Sequence, residues 1–397
     1  MFATASLPRN PLPKIATLVS VLALSACGAS MTGGFSGPQT GQPIDPRQPV
    51  QVALLVPGNS GNADVNNLSR SLVNAARMAV ADAQGAKIDL RVYETGASPE
   101  RAAAQADKAV ADGARIIIGP LFADAANAAA NAVKDDNVNV LSFSNNADIA
   151  GGNLFVLGNT FDNVADRLVG YGVRQGKRRV LLVAEDDVAG QVGAHAIERA
   201  IARNGASLAG KATHNVSKAG IDGVIPKVAA AAKENRADAI FMTANAQPVL
   251  PYLTDGLAAQ GVTSATTQFM GLTRWDTPST RLQLPGTQGG WFAIPDTTLK
   301  AQFDQRYRAA NSGAAPHDLA SLAYDGVSAI AALAAKGRRD TVMTSGLTSN
   351  SGFAGVGGTF RLRPDGTNQR GLAVATIRDK QVVILEPAPR SFRGAGF

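Results

Sequence analysis

VQVALLVPG, Val50–Gly58, is a run of apolar residues closed by Pro-Gly. A strand wet on one face alternates apolar and polar residues, so this unbroken run predicts a strand buried on both faces. A polar loop follows, and in LSRSLVNAARMAVADA the residues Leu68, Leu72, Ala76 and Ala79 recur at helical spacing. The alternation continues with a strand at Ile88–Tyr93, a helix over Pro99–Ala111, the strand ARIIIGPL, an alanine-rich helix over Asp124–Lys134 and the strand VNVLSFSN. After Asn163 the rhythm restarts: a helix, RVLLVAEDD, a helix over Gly190–Asn204, a strand, a helix over Ile221–Asn235, ADAIFMTAN, a helix over Gln247–Gln260, and TTQFMGL. Strands of this kind alternating with helices predict an α/β protein of doubly wound parallel sheets with helices on both faces. Two such units predict two lobes, with a cleft between the carboxyl ends of their strands.

Ahead of the first strand, VLALSACGAS, Val21–Ser30, holds the one cysteine in 397 residues. Arg9 and Lys14 are the only charges before Ile15, and no acid occurs in the first 26 residues. A charged start and a short apolar run are the parts of an export signal. The run is about 12 residues, against the roughly 20 a spanning helix needs, which excludes a transmembrane anchor. Leu24, Ser25, Ala26 and Cys27 resemble the lipobox of bacterial lipoproteins, which implies cleavage after residue 26 and acylation of Cys27. A lone thiol has no internal disulfide partner, and acylation removes it from an oxidising compartment. Residues 27–49, rich in Gly and Pro and without hydrophobic periodicity, read as a flexible tether. The predicted location is periplasmic and lipid-anchored. Gly28, where enterobacterial relatives retained at the inner membrane carry aspartate, favours the outer membrane.

Removing Arg9 and Lys14 lowers the formal net charge from +7 to about +5. No basic stripe with interleaved aromatics accompanies it, so nucleic acid is excluded as a partner. The folded part, about 350 residues, exceeds what one hydrophobic core usually covers. Enzyme signatures are absent: there is no G-x-S-x-G, Walker A, H-E-x-x-H or S-x-x-K. His195, His214 and His317 lack ligand spacing, so neither a metal nor a cofactor is expected. Glu185, Asp186 and Asp187 read as solvated turn and helix-start acids rather than a hydrolytic pair. Trp275 and Trp291 suit either the cleft or a core.

VALLVPGNSG, RIIIGPLFADA, VNVLSFSNN, RVLLVAEDDVAG, GGWFAIP, LASLAYDGVSAI and GGTFRLRPDGTNQRGLAVATI resemble, in order and spacing, type I periplasmic binding proteins of the leucine-isoleucine-valine group. Within that group the chain is most similar to lipid-anchored penicillin-binding protein activators. The resemblance implies three crossings between lobes, with lobe 1 at 50–160 plus 289–337, lobe 2 at 161–288 plus 338–390, and a tail at 391–397. It also implies that GPLFADA, with Ala123, and LSFSNNAD, with Ser142, Ser144 and Asn145, line the cleft and grip an anion or polar group. Turn and capping chemistry is the competing role for those hydroxyls and amides. Asn245 and Trp275 complete the candidate wall.

Where relatives place a tyrosine beside the ligand, this chain has Ala189, and their acid for the ligand ammonium has no counterpart in FMGLTRWDT. An ordinary amino acid is therefore a poor ligand. The expected function is a non-catalytic lipoprotein that binds and activates a penicillin-binding protein, regulating peptidoglycan synthesis. The alternative is the substrate-binding lipoprotein of an ABC importer for a small polar solute.

Overall fold

Residues 39–244 and 249–392 are described by the structure, a computed structural model. Asn245, among the cleft candidates, and Cys27 with its signal lie outside the described residues.

The first lobe is ordered β1 (Val50–Val56), α1 (Ala63–Asp82), β2 (Ile88–Glu94), α2 (Pro99–Ala111), β3 (Ile116–Ile118), α3 (Ala123–Ala132), β4 (Asn139–Ser142) and β5 (Leu154–Val156). Strand order is β2-β1-β3-β4-β5, all parallel. β1 is buried on both faces because its side chains serve two cores. Val52, Leu54 and Val56 pack with Leu72, Ala75 and Ala76 of α1, whereas Ala53 and Leu55 pack with Ala106 of α2 and Ala126 of α3. A period of two feeding two helical layers is why the sequence shows no polar alternation there. Local chemistry sets the helix starts. Asn62 Oδ1 accepts from the amides of Asp64 and Val65, and Ser98, followed by Pro99 at the first helical position, accepts from Arg101.

The chain then crosses to the second lobe. There it forms α4 (Phe161–Arg174), β6 (Arg179–Glu185), α5 (Val188–Arg203), β7 (Ser207–His214), α6 (Lys218–Glu234), β8 (Ala239–Met242), α7 (Val249–Ala259), β9 (Gln268–Gly271) and β10 (Trp291–Ile294). It returns to lobe 1 through Pro295, adding α8 (Thr297–Ala310), α9 (Ala320–Ala334) and α10 (Thr344–Leu347). A small antiparallel sheet follows, made of β11 (Phe353–Gly355), β12 (Gly358–Leu362) and β13 (Asn368–Arg370). A third crossing at Gly371 leads into β14 (Ala373–Arg378) and β15 (Gln381–Glu386), which close the second sheet in the order β15-β14-β10-β9-β8-β6-β7. Its five strands β10 to β7 are parallel and β14 and β15 are antiparallel additions.

Two lobe boundaries differ from expectation. Gly289–Ile294 belongs to lobe 2, because β10 is hydrogen-bonded between β9 and β14. Residues 338–370 belong to lobe 1, because Val342, Leu347, Phe353, Phe360 and Leu362 complete the same core as Val327 and Ile330 of α9. The tether is shorter than expected. Thr40 and Thr344 hydroxyls share a 2.8 Å hydrogen bond, Gly41 N donates to Asn137 Oδ1, Ile44 N donates to Arg339 O, and Ile44 is in the lobe 1 core. The tail expected from Ser391 is fixed at its start, where the Arg361 guanidinium stands 4.6 Å from the Phe392 ring centre.

Candidate functional site

Both sheets reverse strand order beside their first strand, between β2 and β3 around β1 and between β7 and β8 around β6. Helices from the two neighbours leave on opposite faces there, and the crevice at the carboxyl ends is where open α/β sheets take ligands. In lobe 1 that crevice is walled by Pro57–Asn62 and Gly119–Phe122, with Ser142–Asn146 alongside. In lobe 2 it is walled by Glu185–Asp187 and the segment after Met242, with Leu272–Asp276 alongside. The first two crossings leave from the carboxyl ends of β5 and β10, so the hinge sits on the strand-end side of both sheets.

Gly119 brings the lobe 1 wall together. It has φ +87° and donates its N–H to Leu141 O, and a Cβ there would stand 2.1 Å from Leu55 O. The chain then starts α3, whose cap residue, Phe122, gives no side-chain bond and exposes 41% of its surface. The first amides of α3, beginning with half-buried Ala123, thus have no side-chain cap beside an exposed aromatic ring. Ser142 is fully buried. Its Oγ donates to Pro120 O at 2.8 Å and accepts from Ser144 N at 3.0 Å. Ser144 is buried too, its Oγ accepting from Asn146 N. Both hydroxyls therefore do turn chemistry, while Asn145 is exposed.

On lobe 2, Ala189 is exposed in the first turn of α5, and Asp187 caps that helix through Gly190 N at 2.7 Å. Glu185, expected to be solvated, is buried at the end of β6, where its N–H donates to Thr243 Oγ1. Trp275 is 0% exposed inside the lobe 2 core and lines no cleft. Trp291 packs edge-on against Tyr171, ring centres 4.8 Å apart. Arg274, beside Trp275, escaped the sequence reading. It makes a two-pronged ion pair with Asp276 at 2.9 and 2.6 Å. That bond, with a longer-range contribution from Asp318 of lobe 1, raises its pKa above the usual guanidinium value. Arg274 and Asp318 are thus opposite charges from different lobes.

The histidines are dispersed. His195 is exposed on α5, buried His214 bonds Asn215 O through Nδ1, and exposed His317 accepts from Leu319 N. Among the described residues no group of three His, Cys, Asp or Glu is placed to hold a metal ion.

Two doubly wound lobes joined by three crossings, with strand-end loops gathered at the hinge, define the cleft-bearing class of solute-binding proteins. The chain belongs to the periplasmic binding protein family, whose profile matches residues 49–381. Solved structures share the fold. A putative branched-chain amino acid ABC transporter from Rhodospirillum rubrum matches with TM-score 0.71 and 18% identity over 85% of this chain and 100% of that one. An ABC transporter substrate-binding protein from Desulfitobacterium hafniense in complex with Leu gives 0.61 and 19% over 85% and 100%. A solute-binding protein from Rhodopseudomonas palustris in complex with 3,4-dihydroxybenzoic acid gives 0.55 and 15% over 86% and 98%. Among curated proteins, an uncharacterized protein of Rickettsia prowazekii is 27% identical over 122 residues, 31% of this chain and 32% of that relative. The match therefore spans about a third of that relative's length.

Proposed function

We propose that the protein is the substrate-binding component of an ABC importer and closes its lobes on a small carboxylate-bearing solute. The observation that carries this reading is the helix start without a side-chain cap at Ala123, beside exposed Phe122, at the switch point of lobe 1. Backbone amides at a helix N-terminus suit a carboxylate, and the ring covers an apolar body. The structural neighbours bound to leucine, to 3,4-dihydroxybenzoic acid and to benzoate support it, since a carboxylate on an apolar frame is common to all three ligands.

An α-amino acid fits this cleft poorly. Ala189 offers no ring, and the carboxylate after β9, Asp276, is already committed to Arg274. A thermal-unfolding panel tests the proposal. An aromatic or aliphatic monocarboxylate at 100-fold excess over its Kd adds about 2.7 kcal/mol of stability, and none of the twenty amino acids does so at micromolar affinity. A clear shift with leucine retires the carboxylate-only reading, and silence from every acid retires the receptor.

A second reading, activation of a penicillin-binding protein, is favoured by the engagement of both cleft hydroxyls in turns. In that role a surface of one lobe, not the cleft, meets the synthase. Purified synthase with lipid II decides it: the rate rises on adding the protein, and no binding and no rate change ends this reading.

Both roles are compatible with a lipid anchor at Cys27. Cys27→Ala is expected to release the protein from the membrane fraction or leave it unprocessed, since stable attachment needs more than one acyl chain. A parent protein found wholly in the soluble periplasmic fraction contradicts the anchor.

A further inference from the structure

A cavity of about 420 Å³ lies outside the cleft, between α4, the end of α5, the β12–β13 hairpin and Phe392. Its wall is guanidinium-rich: Arg167, Arg174, Arg203, Arg361, Arg363 and Arg370 line it, with Asp166 the sole carboxylate among the lining residues. Four of these cations are ion-paired. Arg167 and Arg174 share Glu386 at 2.5 and 2.8 Å, Arg203 pairs with Asp166 at 2.7 Å, and Arg370 pairs with Asp325 at 3.2 Å.

Arg361 and Arg363 are differently placed. Among the described residues Arg361 bonds to neutral acceptors, Gln369 Oε1 and Asn350 O, and stands over the Phe392 ring. Burial, followed by the nearby Arg363 charge, pushes its pKa below the ordinary value. Arg363 has no side-chain hydrogen bond or ion pair among the described residues; it acts at longer range on Asp166 and on Arg361. Asp162 and Asp365 line an adjoining cavity of about 240 Å³ that shares Arg203 and Arg363. Arg370 is anchored through Nε to Leu157 O and through Nη1 to Asp325. Its Nη2 is buried with no hydrogen-bond partner among the described residues, in a side chain only 8% exposed. Arg370 is the cross-strand partner of Phe360 and its guanidinium stands 5.0 Å from that ring's centre, so it faces the core while Arg361 and Arg363 face the cavity.

We propose that this cavity binds a phosphate-type oxyanion, such as inorganic phosphate, pyrophosphate or a phosphomonoester, recognised by Arg361 and Arg363. A carboxylate offers two oxygens and one charge. Two guanidiniums from one face at the end of β12, Arg361 and Arg363, in a wall that also holds Arg174 and Arg203, suit a tetrahedral group with three acceptor oxygens and a charge near −2. The concavity admits a solute in preference to a planar membrane surface.

Calorimetry on the full chain with inorganic phosphate and with pyrophosphate tests the site. Pyrophosphate is expected to bind with a Kd below about 100 μM, with affinity falling as salt rises and acetate at least tenfold weaker. Arg363→Gln, which breaks no hydrogen bond between described residues, weakens pyrophosphate at least tenfold, and Arg361→Gln does likewise. Retained binding of the cleft solute by both variants separates this site from the cleft. Absence of heat with either phosphate, or an unchanged Kd in both variants, overturns the proposal. Vesicles of phosphatidylglycerol form a further arm: vesicle binding without pyrophosphate binding also overturns it.

Discussion

Asp325→Ala is expected to lower the stability of the folded protein by about 3–5 kcal/mol, the cost of leaving a buried charge without its partner. Asp325 sits in α9 with its side chain 1% exposed, and Arg370, 8% exposed, is 3.2 Å away at the last residue of β13. The carboxylate does two things: Oδ2 takes the guanidinium and Oδ1 accepts from Val356 N at 2.8 Å. Arg370 in turn reaches Leu157 O in the first crossing. One ion pair therefore ties α9, the β11–β12 turn and two of the three crossings. Asn368 reinforces the same place, donating to Val156 O and Gly158 O and accepting from Asn163 Nδ2 at 2.6 Å.

Chemical denaturation of parent, Asp325→Ala, Arg370→Met and Asp325→Ala with Arg370→Met measures the effect. The single changes each strand a polar partner, whereas the double change removes both charges. The double variant is thus expected to be markedly more stable than the sum of the singles predicts. Additive losses would mean the two side chains do not act as a pair.

The elements that were legible in the sequence are those whose signals are local. The unbroken apolarity of Val50–Val56 reports burial by two helical layers, and Ser98 with Pro99 fixes the start of α2. β10 was assigned to the wrong lobe for a non-local reason. WFAI reads as a buried strand in either sheet, and its partners, β9 and β14, are chosen by contacts about 20 residues before and 80 after it. Residues 338–370 misled similarly. Their strands are short and glycine-rich, and only packing against α9 reveals that they complete lobe 1.

Side-chain roles were less legible than strands. A serine at a strand end carries the same sequence signal whether its hydroxyl faces a ligand or its own backbone. Ser142 and Ser144 turn inward because Pro120 O and two nearby amides need partners in a buried turn. The guanidinium cavity did leave a trace. In TFRLRPDG, Phe360 and Leu362 alternate with Arg361 and Arg363, so one face of β12 enters the core and the other presents two like charges. What the pattern cannot supply is α4, which brings Arg167 and Arg174 to the same wall from almost 200 residues earlier.

Trp275→Ala is expected to cost about 3–5 kcal/mol while leaving solute affinity unchanged. The indole is fully buried in the lobe 2 core, and two glycines make room for it. A Cβ at Gly271 would stand 2.0 Å from Nε1, and one at Gly290 would stand 2.0 Å from Cζ3. The ring is therefore gripped from both sides and cannot slide to relieve added volume. Truncation leaves a void that backbone on either side cannot close, and Gly290→Ala fails in the opposite sense, by overpacking, at about 1–3 kcal/mol or more. Nε1 has no hydrogen-bond partner among the described residues, so Trp275→Phe forfeits area but no hydrogen bond and is expected to be milder than alanine. Denaturation midpoints for the three variants, with calorimetry for the cleft solute on each, separate core from cleft. A Trp275→Ala protein as stable as its parent that no longer binds the solute would return the indole to the cleft wall.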